Sequence, residues 1–171
     1  SGKLVLRAPR IANSEVAVDD VDMRVAGASR ITLEALQRYS GTNVGATFTT
    51  ARNDAAAFMD HAPDIAARLA RDGDARFHVT PGIEITSTGN LTLSSNLDLL
   101  NQRFGDEVGT LTLRAQGNIL INGSLSDGVA FQTYVDAGSG EEIAELGARD
   151  RVQSGPSWSY RLSAGADLDS A

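Results

Sequence analysis

The stretch Gly109-Thr110-Leu111-Thr112-Leu113-Arg114-Ala115-Gln116-Gly117-Asn118-Ile119-Leu120-Ile121-Asn122-Gly123-Ser124-Leu125 decides how the chain is read. Apolar residues stand at 111 and 113, then at 119 and 121, with small or polar residues between the runs. Alternate side chains of a strand point to opposite faces. Leu111 and Leu113 therefore share one face, and Thr110, Thr112 and Arg114 share the other. The phrase recurs in Lys3-Leu4-Val5-Leu6-Arg7-Ala8, in Arg30-Ile31-Thr32-Leu33-Glu34-Ala35 and in Asn90-Leu91-Thr92-Leu93-Ser94. Leu91 and Leu111 stand 20 residues apart, as do Leu93 and Leu113. That is about one coil of a stacked repeat, in which each coil buries its apolar face only against its neighbours. The pattern predicts a mainly β chain, a parallel β-helix (β-solenoid) spanning residues 1–171. An antiparallel sandwich is the alternative, since short strands about every 8–12 residues suit it too. Asn122-Gly123 separates the two: a hairpin turn in the sandwich, a corner between faces in the coil.

Composition agrees with thin aliphatic layers. Hydrophobic residues make up 42% but aromatics only 5%, so Leu, Ile, Val and Ala must build the core. The net charge of −7 argues against a nucleic-acid partner. Cysteine is absent, which excludes disulfides, thiolate metal sites and a cysteine nucleophile. No run of about 18 apolar residues exists, so the chain is not expected to span a membrane. Ser1-Gly2-Lys3 leads straight into a strand-like run without a signal peptide, as expected of an internal piece of a longer chain.

Between Asn53 and Arg71 alternation gives way to alanine. Phe58, Ala62, Ile65 and Leu69 recur at helical spacing, with Met59 and Ala66 beside them. Asn53 or a nearby threonine is the expected cap and Gly73 the expected stop. Pro63 should kink the helix or divide it, standing in the first turn of the second piece. Residues 51–73 are thus expected to form an amphipathic helical insertion that decorates a β scaffold. Replacing it with a short loop should then leave the β-rich circular dichroism intact. Residues 39–50 read as loop. Residues 138–156, with Glu141, Glu142 and Glu145, read as an acidic loop or excursion. In the last strand Trp158, Tyr160 and Leu162 share a face.

The run Pro81-Gly82-Ile83-Glu84-Ile85, Gly89-Asn90-Leu91-Thr92-Leu93, Gly109 to Ala115, Gly117-Asn118-Ile119 and Asn122 to Gly128 resembles the filamentous-haemagglutinin family of large bacterial exoproteins. The helical phrase from Phe58 to Leu69, placed just before it, resembles that family too, as does Ser157 to Leu168. The resemblance implies a right-handed parallel β-helix shaft, secreted through an outer-membrane partner and displayed on the bacterial surface. It implies adhesion to host or neighbouring cells, or the carrying of a toxic C-terminal tip. The chain would be an internal shaft segment.

Sites are few on this reading. His61 and His78 are the only histidines, and a metal pair would need further converging ligands. Asp19, Asp20 and Asp22 are an acidic cluster without a calcium-loop pattern, so a solvated turn is expected. A carbohydrate-active β-helix, lyase or hydrolase, is the alternative function. Glu84, Asp98 and Arg114 would be its outward candidates. Asn90 and Asn122 head glycosylation-type triplets but read as turn residues. No catalytic, cofactor-binding or metal-binding residue is assigned, and neither enzymatic activity nor a cofactor is expected.

Overall fold

The structure, a computed structural model, describes residues 2–19, 25–130, 133–135, 138–139, 142–144, 151–152 and 155–169. In chain order the elements are β1 (Gly2–Ile11), β2 (Glu15–Val16), β3 (Ala28–Ser40), α1 (Val44–Met59), α2 (Ala62–Arg68), β4 (Phe77–Ser87), β5 (Leu91–Leu93), β6 (Leu97–Asp98), β7 (Thr110–Ala115), β8 (Ile119–Ile121) and β9 (Leu125–Ser126). After them come β10 (Val129–Ala130), β11 (Thr133–Val135), β12 (Glu142–Ala144), β13 (Arg151–Val152) and β14 (Ser159–Ala164). The chain is mainly β, with a mixed sheet. Six strands lie in the order β14-β7-β4-β3-β1-β2, and only the β1–β2 pairing is antiparallel.

The alternating phrases supply the rungs of this sheet. Leu6, Leu33 and Val79 lie side by side, as do Ile83 and Leu111, and Ile85 and Leu113. From Leu33 onward all of these are buried. Two smaller sheets repeat the parallel pairing, β5 with β8 and β6 with β9. Gly82 lies beside Thr110, Leu91 beside Ile119 and Leu97 beside Leu125, so the offset is 28 residues on all three. The 20-residue spacing of the sequence is therefore not the structural offset. Leu91-Thr92-Leu93 and Leu111-Thr112-Leu113 look alike but belong to different sheets. At the corners, side-chain amides stitch one pass of the chain to the next. Asn90 Oδ1 accepts from the Asn118 N–H and Asn96 Oδ1 from the Ser124 N–H, both at 2.9 Å. These bonds satisfy main-chain donors where the strands break off.

Asn122-Gly123 is a corner, because β8 and β9 pair with different partners and not with each other. Gly123 is required there by contact. A Cβ on it would stand 2.3 Å from the Ser95 carbonyl carbon and 2.4 Å from its oxygen. Backbone cannot yield as a side chain can. Gly123→Ala is expected to cost about 1–3 kcal/mol in urea denaturation. Gly89→Ala is the control, since a Cβ there meets nothing within 4 Å.

The helical segment departs most from the sequence expectation. It begins at Val44, not near Asn53, and Asn43 is the cap, its side chain accepting the Ala46 N–H at 3.0 Å. Pro63 divides the helix and sits in the first turn of α2. The stop falls before Gly73, at Leu69 and Ala70, where Ala70 adopts φ 50°. The segment does not decorate the surface. Val44, Phe48, Ala51 and Ala55 form one helical stripe, buried against Ile83, Ile85, Leu91, Leu93 and Leu99. Phe58, Ile65 and Leu69 are buried with Ala8, Val16, Leu33, Ala35 and Val79. The parallel bridge of Asn43 to Thr92 places the start of α1 directly beside β5. The two helices thus roof the aliphatic interior that the strands surround.

Beyond β9 the chain makes short antiparallel pairings, β10 with β13 and β11 with β12, before β14 rejoins the main sheet. The expected loop over 138–156 therefore carries β12 and β13, while Glu141, Glu145 and the positions 140, 146–150 and 153–154 lie outside the described residues. Trp158 is buried just ahead of β14. Tyr160 and Leu162 lie beside Leu111 and Leu113 but are exposed. Among the described residues no helix is long and apolar enough to cross a membrane.

Candidate functional site: a charged sheet face

The outward positions of the main sheet carry charged and hydroxyl side chains, with Val5 as an apolar one. Strand register sets Arg7 beside Glu34, and lines up Arg38, Glu84, Thr112 and Arg161 across four strands. Glu34 and Glu84 are each only 1% exposed. Buried carboxylates are stable only when paired and hydrogen-bonded, and arginines meet that demand here. Arg7 bridges the two, its Nε donating to Glu34 at 3.0 Å and its Nη2 to Glu84 at 2.9 Å. Arg161 Nη1 donates to both Glu34 oxygens, at 2.8 and 2.9 Å. Arg38 Nε donates to Glu84 at 2.8 Å, and Arg114 Nη1 stands 3.7 Å from the same carboxylate. Gly82 makes room for this cluster, since a Cβ on it would lie 2.9 Å from Glu34 Cγ. A second group adjoins it. Glu107 accepts from Arg30 at 2.7 Å and pairs with His78 Nδ1 at 2.6 Å.

Burial alone would raise the Glu84 carboxyl. Hydrogen bonds and charge from Arg38 and Arg7 outweigh that and hold it below its ordinary value of 4.5. A carboxyl lowered on folding stabilises the native state above the unfolded value and stops doing so as pH falls through the folded one. This contribution is therefore complete at neutral pH and fades below 4.5. Glu84→Gln is expected to cost about 2 kcal/mol at pH 7. Wild type and variant should converge in acid, where Glu84 is itself neutral. Urea denaturation across pH checks this, and a constant difference at all pH values would contradict it. On the same face Thr112 Oγ1 is buried without a partner among the described residues. Thr112→Val keeps the shape and removes the orphan hydroxyl, so it is expected to stabilise the chain by about 1 kcal/mol.

A separate cluster fastens the sheet to the helices. The Tyr39 hydroxyl and Arg10 both donate to Asp54, and the Arg10 guanidinium lies 4.6 Å over the Phe58 ring. Burial first, then the Asp54 hydrogen bond, raises the Tyr39 phenol well above the usual range. Tyr160, though 37% exposed, is partly desolvated, which pushes it up to about 12, so both rings stay neutral.

Of the residues singled out in the sequence, Glu84 and Arg114 are brought together on this face. Asp98 is not. It lies on β6, where its Oδ1 accepts from the Leu100 N–H at 2.9 Å. His61 is exposed at the start of α2, 3.6 Å from Asp64, whereas His78 is on β4 with Glu107. Among the described residues no three metal-ligating side chains form a group that could hold an ion. Asp19 is exposed, and Asp20 and Asp22 lie outside the described residues. Glu34, Arg7, Arg38 and Arg161 went unnoticed in the sequence. Arg7 and Glu34 carry a signal of position, standing between Leu6 and Ala8 and between Leu33 and Ala35, whereas Arg38 beside Gln37 and Arg161 between the exposed Tyr160 and Leu162 carry none. No family model, curated protein or solved structure matches the chain, so its function is read from the fold and this charged face alone.

Proposed function

We propose that the chain is a segment of a right-handed parallel β-helix shaft in a bacterial exoprotein of the filamentous-haemagglutinin type, secreted through an outer-membrane partner and held at the cell surface. Its work is mechanical and adhesive: it presents a distal binding or toxic element, and its flank meets host or neighbouring cells. The observation that carries the reading is the constant 28-residue offset of β4 to β7, β5 to β8 and β6 to β9, all parallel. Three parallel pairings at one offset are what stacked three-sided coils require. The corner bonds of Asn90 and Asn96 support it.

A register-matched duplication tests the shaft. Repeating residues 91–118 adds one whole offset and should preserve a single cooperative unfolding transition and the β-type circular dichroism. A repeat of half that length sets corners opposite strands, breaks the three parallel pairings and should destroy both. Equal tolerance of the two would refute the stacked coil. For the location, an epitope on the exported protein should be labelled on intact bacteria. Labelling only after permeabilisation would rule out surface display.

A lyase or hydrolase reading has less support. A general acid must be protonated near the working pH, but Glu84 is held ionised between Arg38 and Arg7.

A further inference from the structure

The charged face is more than a set of satisfied pairs. The chain as a whole is acidic, with 22 carboxylates against 15 basic residues. On this one face the balance reverses. Among the described residues Lys3, Arg7, Arg30, Arg38 and Arg161 stand here with Glu34, Glu84 and Glu107. A groove of about 290 Å³ runs across it, walled by Lys3, Arg30 and Arg161. Its lining has three chemistries. Arg161 spends only Nη1 on Glu34, so Nε and Nη2 remain as donors. Lys3 pairs with no carboxylate among the described residues. The hydroxyls of Thr80 and Thr110 line the groove and bond to no protein group among the described residues. Val5, 52% exposed, adds an apolar wall.

We propose that this groove binds the acidic sugar unit of a polysaccharide, a hexuronate ring. The carboxylate is taken by Lys3 and Arg161, the ring hydroxyls by Thr80 and Thr110, and a C–H face by Val5. Charge, hydroxyls and an apolar wall together suit a polyhydroxylated acid. A bare phosphate would use the cations alone. An extended peptide would need unpaired strand edges, and β3, β4 and β7 beneath the face are paired on both sides. The inference does not depend on the chain being part of a shaft.

Calorimetric titration with trigalacturonate tests it, with neutral galactotriose and inorganic sulfate as comparison ligands. Trigalacturonate should bind, more weakly as salt rises, while galactotriose should not bind and sulfate should displace it no more than chloride at the same ionic strength. Lys3→Glu, an exposed position without a partner among the described residues, should weaken binding about fivefold with the unfolding midpoint unchanged. Arg161→Gln should weaken it as well. Absence of trigalacturonate binding, equal binding of galactotriose, displacement by sulfate beyond that by chloride, or no effect of Lys3→Glu would each overturn the proposal.

Discussion

Excising residues 44–69 and closing the gap with a short glycine–serine linker is expected to abolish cooperative unfolding. A surface decoration would be removed without loss. This segment instead buries Val44, Phe48, Phe58, Ile65 and Leu69, with Ala51 and Ala55 between them. Five large apolar side chains at about 1.5–3 kcal/mol each add up to the whole net stability of an ordinary domain, about 5–15 kcal/mol. Their loss would also open Ile83, Ile85, Leu91 and Leu93 to water. The shortened chain should bind a hydrophobic dye, broaden on size exclusion and melt without a sharp midpoint. A retained sharp transition would mean that the sheets hold together without their roof.

The second large effect is expected at Trp158, which is 4% exposed. Its ring meets Phe48 edge-on at 5.8 Å and Phe104 at 5.9 Å, and its Nε1–H donates to the Gln102 carbonyl at 2.8 Å. Its main-chain N–H donates to Asp127, a carboxylate that Arg103 also pairs with. One residue therefore joins α1, the loop ahead of β7 and the start of β14. Trp158→Ala is expected to cost about 3–5 kcal/mol and to lower the thermal midpoint by about 10 °C. Trp158→Phe keeps the ring contacts and forfeits the hydrogen bond, so it should cost about 1 kcal/mol. Equal losses for the two would assign the effect to the N–H, not to packing.

Much of this was legible before any fold was known. Ile31, Leu33, Ile83, Ile85, Leu111 and Leu113 alternate, and all are buried. Phe104, an isolated apolar residue in the loop ahead of β7, packs against Trp158. The offset between passes was misjudged for a physical reason. Alternation tells which side of a strand faces inward but not which sheet the strand joins, so Leu91 and Leu111 looked equivalent. The corner dipeptides Gly89-Asn90 and Gly117-Asn118 carry the true offset, because their amides bond to each other. The first half of α1 was hidden by Thr47, Thr49 and Thr50, residues of modest helix propensity. The stripe Val44, Phe48, Ala51, Ala55 was nonetheless there to be counted. Glu84 and Arg114 were legible as outward charges, but the face they belong to was not. Glu34 and Glu84 are neighbours only because the chain between them folds into helices and returns β4 beside β3 in one register.

In the shaft we propose, the 28-residue offset has a consequence for reach. Adjacent strands of a sheet lie about 4.8 Å apart, so each further pass lengthens such a stack by only that much. A projection of about 100 Å would then consume roughly 580 residues, whereas a single α-helix would span it with about 67. The return for that length of chain is breadth. Every pass brings three fresh strands and their outward side chains to the surface, so a molecule built this way grows in lateral area far faster than in height.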